Sequence, residues 1–302
     1  MPSGGRAGWL FGNAYLLLVL TTLSWGGNAV AGRLAVGEVS PMALTMLRWI
    51  GVVALIALFA RHRLVAEWPV LRRHLPYLFA LGALGFTAFN ALFYVSAHFT
   101  AAINIGIIQG AIPVFVLLGA YAAYRTPVTG LQFAGVVLTM LGVAVIAAQG
   151  DVARLADLAF NNGDLLMVLA CLLYAGYTVA LRKRPAVSGL AMFSVMAVAA
   201  LLTSLPLVAA EAALGHFQWP TPTGWAVLTF VALFPSFLAQ IFFLRSVELV
   251  GPGRAGVFVN LVPIFSALLA VLILGEHFQL YHALALAFVL GGIALAERLR
   301  RS

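Results

Sequence analysis

Residues 250–295 read VGPGRAGVFVNLVPIFSALLAVLILGEHFQLYHALALAFVLGGIAL, and a shift of 150 positions lays them on residues 100–145 without a gap. A second match, at an offset of 149, lays residues 164–182 on residues 15–33. Two near-equal offsets predict two copies of one unit, residues 1–148 and 149–302. The matched pairs include Gly256 on Gly106, Pro263 on Pro113, Phe265 on Phe115, Gly292 on Gly142, Gln240 on Asn90, Phe243 on Phe93 and Tyr174 on Trp25.

The composition excludes a water-soluble domain. The 302 residues are 63% hydrophobic and 9% charged, with a mean hydropathy of +1.05. Such a chain cannot form a polar shell, and its apolar runs suit membrane spans of about 20 residues. The net charge of +8 could suggest nucleic-acid binding, but the chain has no soluble basic surface to bind nucleic acid. An excess of basic residues on the cytoplasmic side of a membrane explains the charge better. The single cysteine, Cys171, excludes an intrachain disulfide.

The apolar pattern predicts an all-α integral membrane protein with ten transmembrane helices. Ser40-Pro41, Thr126-Pro127 and Thr221-Pro222 each place a capping hydroxyl before a proline, which favours a helix start. No gap is long enough for an inserted soluble domain, and the seam between the copies is predicted at residues 149–163. The predicted spans are 13–33, 41–60, 76–97, 100–122, 127–148, 164–182, 187–209, 222–244, 254–274 and 280–297.

The basic residues indicate that both termini are cytoplasmic, in a bacterial inner membrane. With the N-terminus inside, fourteen of the seventeen Lys and Arg residues fall in cytoplasmic segments, and only Arg33 and Arg154 fall outside. Five spans per copy is an odd number, so the second copy enters the membrane from the opposite side. The expected fold is therefore two inverted five-helix repeats around a central cavity. The fourteen are Arg6, Arg61, Arg63, Arg72, Arg73, Arg125, Arg182, Lys183, Arg184, Arg245, Arg254, Arg298, Arg300 and Arg301.

Ala29-Val30-Ala31 resembles a signal-peptide cleavage site. The repeat mate of the first span, residues 164–182, is internal and cannot be cleaved in this way. The first span is therefore expected to remain in the membrane.

Polar and aromatic side chains recur at matching positions in both copies. Polar groups in hydrocarbon cost free energy unless they are satisfied, so they are expected either to join helices or to line a substrate pathway. Recurrence in both copies favours the pathway, with the first copy lining an outer vestibule and the second an inner one. The two vestibules are expected to meet near Trp25 and Tyr174. When one vestibule is open, the residues that line the other are expected to pack together as a closed gate. The predicted pathway residues are Trp25, Asn28, Phe86, Asn90, Phe93, Tyr94, Gln109, Tyr174, Tyr177, Ser236, Gln240, Phe243 and Asn260.

Backbone breakers lie beside these polar positions. Proline removes a helical hydrogen bond, so hinges or kinks are predicted in the third, fourth, eighth and ninth spans. The predicted hinge positions are Gly85, Pro113, Pro235 and Pro263.

Arg48 is the only charge predicted deep in a span. Its structural interpretation is a side chain that snorkels outward or pairs with backbone; its functional interpretation is a partner for a substrate carboxylate. No Asp or Glu lies deep in a span, since Asp164, Glu211 and Glu276 fall at span ends or in loops. Without a carboxylate relay, flux is expected to follow the gradient of the substrate itself.

No catalytic or cofactor motif stands out. The six histidines lack metal-ligand spacing to a carboxylate or to Cys171, so no metal site is expected, and no nucleophile–base pair or nucleotide-binding loop is present. The chain is not expected to be an enzyme or to hold a cofactor.

Residues 250–276, the segment 41–49 with Arg48, and the tandem five-plus-five plan resemble the EamA repeat of the drug/metabolite transporter superfamily. The resemblance covers nearly the whole chain. The first copy departs from the pattern, because Arg125-Thr126 stands where the second copy has Gly275-Glu276, and the second copy has no match for Arg48. The aromatic-rich third and eighth spans are similar to those of YddG-like amino-acid exporters.

The resemblance implies a ten-helix basket with a central cavity that exports amino acids or related metabolites. We expect the amino acids to include aromatic or bulky apolar ones, transport to proceed by alternating access, and a monomer to be the working unit. The alternative transport function is broad efflux of metabolites or drugs through the same cavity. A membrane scaffold is the alternative of another class, and it would need no central polar lining. Sugar-phosphate exchange fits poorly, because phosphate is typically held by several buried basic residues.

The charge distribution makes topology the first testable prediction. A reporter fused after Ser302 should be active when it requires the cytoplasm and inactive when it requires the periplasm, because the positive-inside bias places the C-terminus in the cytoplasm. The same reporter fused at residue 154 is the control and should give the opposite result. Periplasmic activity of the C-terminal fusion would contradict the assigned orientation.

Overall fold

The computed structural model describes residues 11–59, 61–151, 161–251, 255–256 and 258–298, and the regular elements within these ranges are helical. Seven helices are long and apolar enough to cross a membrane, and three further apolar helices are shorter. The seven are α1 (Ala14–Leu34), α2 (Pro41–Phe59), α3 (Leu64–Ser96), α4 (Ala102–Tyr124), α6 (Asn162–Lys183), α7 (Gly189–Ala213) and α8 (Pro222–Val250). The three shorter apolar segments are Gly130–Ile146 in α5 (Gly130–Ala147), Val259–Leu274, which is α9, and Leu280–Leu295 in α10 (Leu280–Arg298).

These helices agree with the predicted spans to within a few residues, except at the start of α3 and the ends of α7 and α8. The predicted position 60, the predicted start of the ninth span at 254, most of the seam at 149–163, and Arg6, Arg154, Arg254, Arg300 and Arg301 lie outside the described residues. The third span was predicted from residue 76, but helix already forms over Arg61–Leu71 and continues through a 3₁₀ turn. The predicted spans place residues 61–75 in a connection, whereas the structure has helix there and a tertiary contact holds it: Glu67 accepts hydrogen bonds of 2.6 Å from both the amide and the hydroxyl of Ser188.

The predicted helix caps have different outcomes. The cap at Thr221 is confirmed, because its hydroxyl accepts a hydrogen bond from the amide of Gly224 at 3.1 Å. The cap at Thr126 is wrong, because α5 begins three residues after Pro127 with a capping box formed by Thr129 and Gln132. A capping box satisfies two otherwise unpaired amides, which favours the later start.

The cap predicted at Ser40 is replaced by a carboxylate from the other copy. The hydroxyl of Ser40 donates to Glu211 at 2.6 Å. Glu211 in turn accepts hydrogen bonds from the amides of Met42 and Ala43 at 3.1 and 3.3 Å. A carboxylate at a helix N-terminus is favoured by the helix dipole and by the unpaired amides there.

The four predicted hinge positions lie at or beside irregular helix. The α4 helix is interrupted at Gly110, directly before the piece that begins Ile112-Pro113. In α9 a 3₁₀ turn over Val259–Leu261 precedes Pro263. Gly85 and its mate Pro235 both lie in wide π-helical turns, Ala83–Ala88 and Ala232–Leu238. Both copies are therefore irregular at corresponding positions.

Three helices pack antiparallel to their own repeat mates. In α2 and α7, Glu211 near the end of α7 reaches the start of α2, while Glu67, which follows α2, reaches Ser188 at the start of α7. In α4 and α9, Gly106 lies against Ser266 and Gly110 against Pro263, so the residue numbers run in opposite directions. In α5 and α10, Gly142 lies against residues 285–289 and Gly292 against residues 135–139. These pairings give the inverted relation that the repeat predicts.

The α5–α10 pair is symmetric. A Cβ built on Gly142 would lie 2.8 Å from the carbonyl oxygen of Ala285, and one built on Gly292 would lie 2.5 Å from that of Gly135. Position 135 is the repeat mate of 285, so the same contact occurs twice.

The α4–α9 pair is asymmetric. A Cβ on Gly106 would overlap the side chain of Ser266, whereas a Cβ on its mate Gly256 would meet no heavy atom within 4 Å. The equivalent contact, Gly256 against Val116, is thus absent among the described residues. We name the end with Gly106 and Ser266 the packed end, and the end with Gly256 the separated end.

The largest hydrophobic cluster lies toward the packed end. All residues from Ala102 to Ile108 are buried, and Phe93 and Tyr94 pack beside them. By contrast, residues 258–261 of α9 are only partly buried. A second cluster joins α2, α3 and α7 around Trp49 and Phe86. The α4–α9 pair is therefore tightly packed at the packed end and more loosely packed at the separated end.

The asymmetric pair predicts unequal effects of two matched substitutions. Gly106→Ala should lower the free energy of unfolding by about 1–3 kcal/mol, because the added methyl overpacks the contact with Ser266. Gly256→Ala, the repeat-matched control, should leave stability unchanged or higher, since its methyl meets open space. The thermal unfolding midpoint in detergent measures both.

The double variant G106A/S266G should recover most of the lost stability, because removing the Ser266 side chain makes room for the methyl group added at position 106. Equal destabilisation by G106A and G256A would show that the two ends are packed alike.

Candidate functional site: a central cavity between the repeats

A cavity of about 100 Å³ lies between the interrupted regions of α4 and α9, and both copies line it. Nine of the thirteen predicted pathway residues contribute to its wall, as do the predicted hinges Gly85, Pro113 and Pro235. The nine are Trp25, Asn28, Phe86, Asn90, Gln109, Tyr174, Ser236, Gln240 and Asn260. These nine residues come from six helices and are separated by up to 235 positions, yet they meet at one place.

The other predicted positions lie outside this lining. Phe93 and Tyr94 are buried in the core cluster toward the packed end. Tyr177 packs against Phe86, with ring centroids 5.6 Å apart, so it supports the wall from behind. Phe243 lies 5.4 Å from the ring of Trp25, and Pro263 contacts Gly110.

Aromatic rings form much of the wall. Trp49 stacks on Phe86 with ring centroids 4.9 Å apart, and Phe89 lies 5.1 Å from Tyr174. Trp25 is fixed by a 3.1 Å hydrogen bond from its indole to the carbonyl of Pro235 in the π-helical turn of α8. Such rings bury large apolar area while keeping a polar edge available. The cavity can therefore accept an apolar side chain together with polar groups.

Trp49, Phe89, Ile112, Val259 and Val262 line the cavity without having been predicted. Aliphatic residues in an apolar span carry no signal that distinguishes lining from lipid contact. Trp49 did carry such a signal, since it directly follows Arg48, the only charge predicted deep in a span.

Arg48 neither snorkels nor pairs with backbone, so the structural interpretation from sequence is wrong in its detail. The side chain is 6% exposed, and one terminal nitrogen, Nη1, donates to Asn90 Oδ1 at 2.7 Å and to the Tyr94 hydroxyl at 2.6 Å. The Tyr94 hydroxyl donates in turn to Asn28 at 3.1 Å. This network positions the guanidinium at the cavity wall, because Arg48, Asn90 and Asn28 all line the cavity.

Unsatisfied polar atoms concentrate at this site. Seven buried side-chain nitrogen or oxygen atoms of the described residues have no hydrogen-bond partner, and four of them belong to residues of the cavity wall. Buried polar groups in native proteins are nearly always paired, so such a concentration marks a place where another molecule can supply the partners. The four are Arg48 Nε, Trp49 Nε1, Gln109 Oε1 and Asn260 Oδ1.

Carboxylates hold the packed end together. Glu276, before α10, accepts hydrogen bonds from the amides of Ala102 and Ile103 at 2.8 and 3.0 Å, so the second copy caps α4 of the first. Asp164, fully buried, accepts a 2.6 Å hydrogen bond from Thr100. The repeat mate of Glu276 is Thr126, which has no carboxylate.

His98 is the titratable group in the loop at the packed end. Burial lowers the pKa of His98 below its usual value, nearby Arg33 lowers this pKa further, and Glu211 partly opposes the shift. The imidazole is therefore neutral at pH 7. Its protonation below the unfolded-state pKa, near 6.5, costs stability, which is lost as pH falls. Within the described ranges, no three His, Cys, Asp or Glu side chains cluster as metal ligands.

The apolar spans, the inverted packing and the central polar cavity define a multi-pass membrane protein of the transporter class. The chain belongs to the EamA-like transporter family, whose model matches residues 12–148 and again residues 161–297. The two matches fall on the two copies found by the internal repeat.

Curated relatives match over nearly their full lengths. The chain is 23% identical to the uncharacterized transporter YyaM of Bacillus subtilis, covering 94% of this chain and 93% of that protein. It is 25% identical to the uncharacterized transporter YetK of the same organism, covering 93% and 85%. An uncharacterized transporter of Archaeoglobus fulgidus is 26% identical, covering 93% and 96%.

A solved crystal structure has the same fold, with a TM-score of 0.62 over 98% of this chain and 99% of the other, at 20% identity. At this identity the likeness concerns the fold alone. These relatives place the chain among membrane transporters and name no substrate.

The carboxylate of Glu276 generates a prediction about access. Glu276→Gln should increase labelling of a cysteine at Asn28 by an impermeant thiol reagent applied at the packed end, in a background lacking Cys171. Loss of charge weakens the two amide contacts by about 1 kcal/mol, which shifts an open–closed equilibrium by roughly fivefold.

Glu67→Gln is the matched control, because Glu67 also binds a helix N-terminus but near the start of α7. It should leave the labelling at Asn28 unchanged. An equal response to both variants would indicate general loosening rather than release of a gate.

Proposed function

We propose that the protein is a secondary transporter that exports amino acids, including aromatic or bulky apolar ones, by alternating access. The observation that carries the proposal is the central cavity, lined by amides and aromatic rings from both copies. Gln109, Gln240 and Asn260 offer polar contacts to an amino acid, and Trp25, Phe86 and Tyr174 offer apolar surface to its side chain. Few convergent polar groups in a mostly apolar pocket are typical of small-molecule sites.

The difference between two helix pairs supports alternating access. The α5–α10 contact is nearly the same in both directions, whereas the α4–α9 contact is made at one end and missing at the other. In an inverted repeat, exchanging the conformations of the two copies generates the opposite state. Gly256 would then approach Val116 while Gly106 separates from Ser266, and α5–α10 would serve as the pivot.

The position of the cavity fits this exchange. Its wall includes Gln109, Pro113, Val259 and Asn260, which flank the region where α4 and α9 separate. The charge distribution assigns the packed end to the outside, so this conformation faces the cytoplasm, where an exporter collects its substrate. The proposed location is the bacterial inner membrane, with ten spans, both termini cytoplasmic and a monomer as the working unit.

The carboxylates favour a transporter that is not tightly coupled to protons. Glu67, Glu211 and Glu276 each bind helix N-termini, and Asp164 binds Thr100 near the packed end. None of them lines the cavity. Flux is therefore expected to follow the gradient of the amino acid.

Broad efflux of metabolites or drugs is the second candidate, and it uses the same cavity. The cavity volume of about 100 Å³ favours small substrates over drug-sized ones. A scaffold accounts for neither the aligned polar lining nor its unpaired atoms.

Counterflow in proteoliposomes tests the proposal. Vesicles loaded with unlabelled phenylalanine or leucine should accumulate the labelled amino acid transiently, and an imposed pH gradient should not change the initial rate by more than about twofold. Trp25→Ala should reduce exchange at least tenfold, because it removes the indole from the cavity wall.

Phe133→Ala is the control, because Phe133 is 63% exposed on α5 and does not line the cavity. It should exchange like the wild type. Absence of exchange for every amino acid tested would contradict amino-acid transport, and uphill accumulation driven by a proton gradient would contradict uncoupled flux.

A further inference from the structure

Four buried atoms without a hydrogen-bond partner belong to residues of the cavity wall, and they divide by chemistry and by position. The two hydrogen-bond donors, Arg48 Nε and Trp49 Nε1, belong to neighbouring residues of α2. The two acceptors, Gln109 Oε1 and Asn260 Oδ1, belong to α4 and α9. The cavity therefore has a donor wall, Arg48 and Trp49, and an acceptor wall, Gln109 and Asn260.

The donor wall carries a fixed positive charge. Hydrogen bonds from Nη1 to Asn90 and Tyr94 hold one part of the guanidinium, and the ring of Trp49 lies 5.6 Å from its central carbon. The Nε–H belongs to the other edge of the planar group, which can form a bidentate contact with a carboxylate. Neither Asn90 nor Tyr94 carries a charge that balances the cation.

No carboxylate lines the cavity among the described residues. A buried charge without a counter-charge is costly, and a ligand that brings the opposite charge removes that cost. The lone guanidinium is balanced by a monoanion, whereas a phosphate dianion would remain uncompensated. A carboxylate is a monoanion whose two oxygens match the Nε edge of a guanidinium.

We propose that Arg48 and Trp49 bind the carboxylate of the substrate, that Gln109 and Asn260 accept hydrogen bonds from its ammonium group, and that Arg48 determines selectivity for free carboxylates. This inference rests on the proposed transport function and specifies the orientation of the substrate within it. Amino-acid amides and decarboxylated amines lack the carboxylate but keep the ammonium group, so they bring a net positive charge next to Arg48 and bind weakly.

Competition with a matched ligand series tests the inference. The initial rate of labelled phenylalanine counterflow is measured against unlabelled phenylalanine, phenylalaninamide and phenethylamine. In the wild type, the amide and the amine should need at least tenfold higher concentrations than phenylalanine for half-inhibition. In Arg48→Gln, this difference should fall below threefold, because the neutral side chain no longer favours the anion.

Arg48→Lys is the charge-preserving control. Its ratio of half-inhibiting concentrations, amide or amine to phenylalanine, should stay at or above the square root of the wild-type ratio. Trp49→Phe keeps the ring and removes only the N–H, so it should lower the selectivity about threefold; it carries the test if Arg48→Gln does not fold. If the role of Arg48 were purely structural, Arg48→Gln would lower the affinity for all three ligands by the same factor. That result would overturn the inference.

The outcomes separate this inference from the proposed function. If the wild type exchanges phenylalanine but is inhibited equally by the amide and the amine, transport stands and the carboxylate assignment falls. If the wild type exchanges no amino acid, the proposed function itself fails.

Discussion

The close contact of α4 with α9 at Gly106 and Ser266 is the constraint on which the conformation depends. It brings two antiparallel repeat mates together at one end, because no side chain is present at position 106 to keep them apart; Gly256 makes no equivalent contact with any described residue. Glu276 adds a charged contact from the second copy to the start of α4 at the same end. The cavity occupies the region where these helices diverge. Closure, access and the location of the site thus follow from one helix pair.

The hydrogen-bonded polar groups of the protein form two kinds of arrangement. At helix ends, Glu67, Glu211 and Glu276 satisfy unpaired amides and hold the copies together, which is the usual way to stabilise helix termini. At the centre, Arg48 is held by neutral partners, and nearby donors and acceptors remain unpaired. The first arrangement is complete in itself. The second leaves hydrogen-bonding capacity unused, and this is the observation on which we base the proposal of a substrate site.

Much of this architecture could be predicted from the sequence, because hydropathy determines spans and the offset of 150 residues pairs them. The recurrence of polar and aromatic residues also predicted nine of the nineteen residues of the cavity wall, including Asn90 with Gln240. Several of the remaining wall residues could not be predicted from the sequence. Ile112 and Val259, for example, look like ordinary apolar span residues, and only the packing of the irregular helices α4 and α9 places them at the cavity. The partners of Arg48 were missed for the same reason, because Tyr94 is separated from it by 46 residues and by a helix packing that no local pattern encodes.

Opposite movement of the two ends is the central claim, and spin-label distances measure it most directly. Labels at Phe99 and Phe278 report the packed end, and labels at their repeat mates, Leu249 and Val128, report the separated end. On addition of an amino acid that is exchanged, the distance between 99 and 278 should gain a longer population while that between 128 and 249 gains a shorter one. Two distances that stay fixed, or that change in the same direction, would contradict alternating access through this cavity.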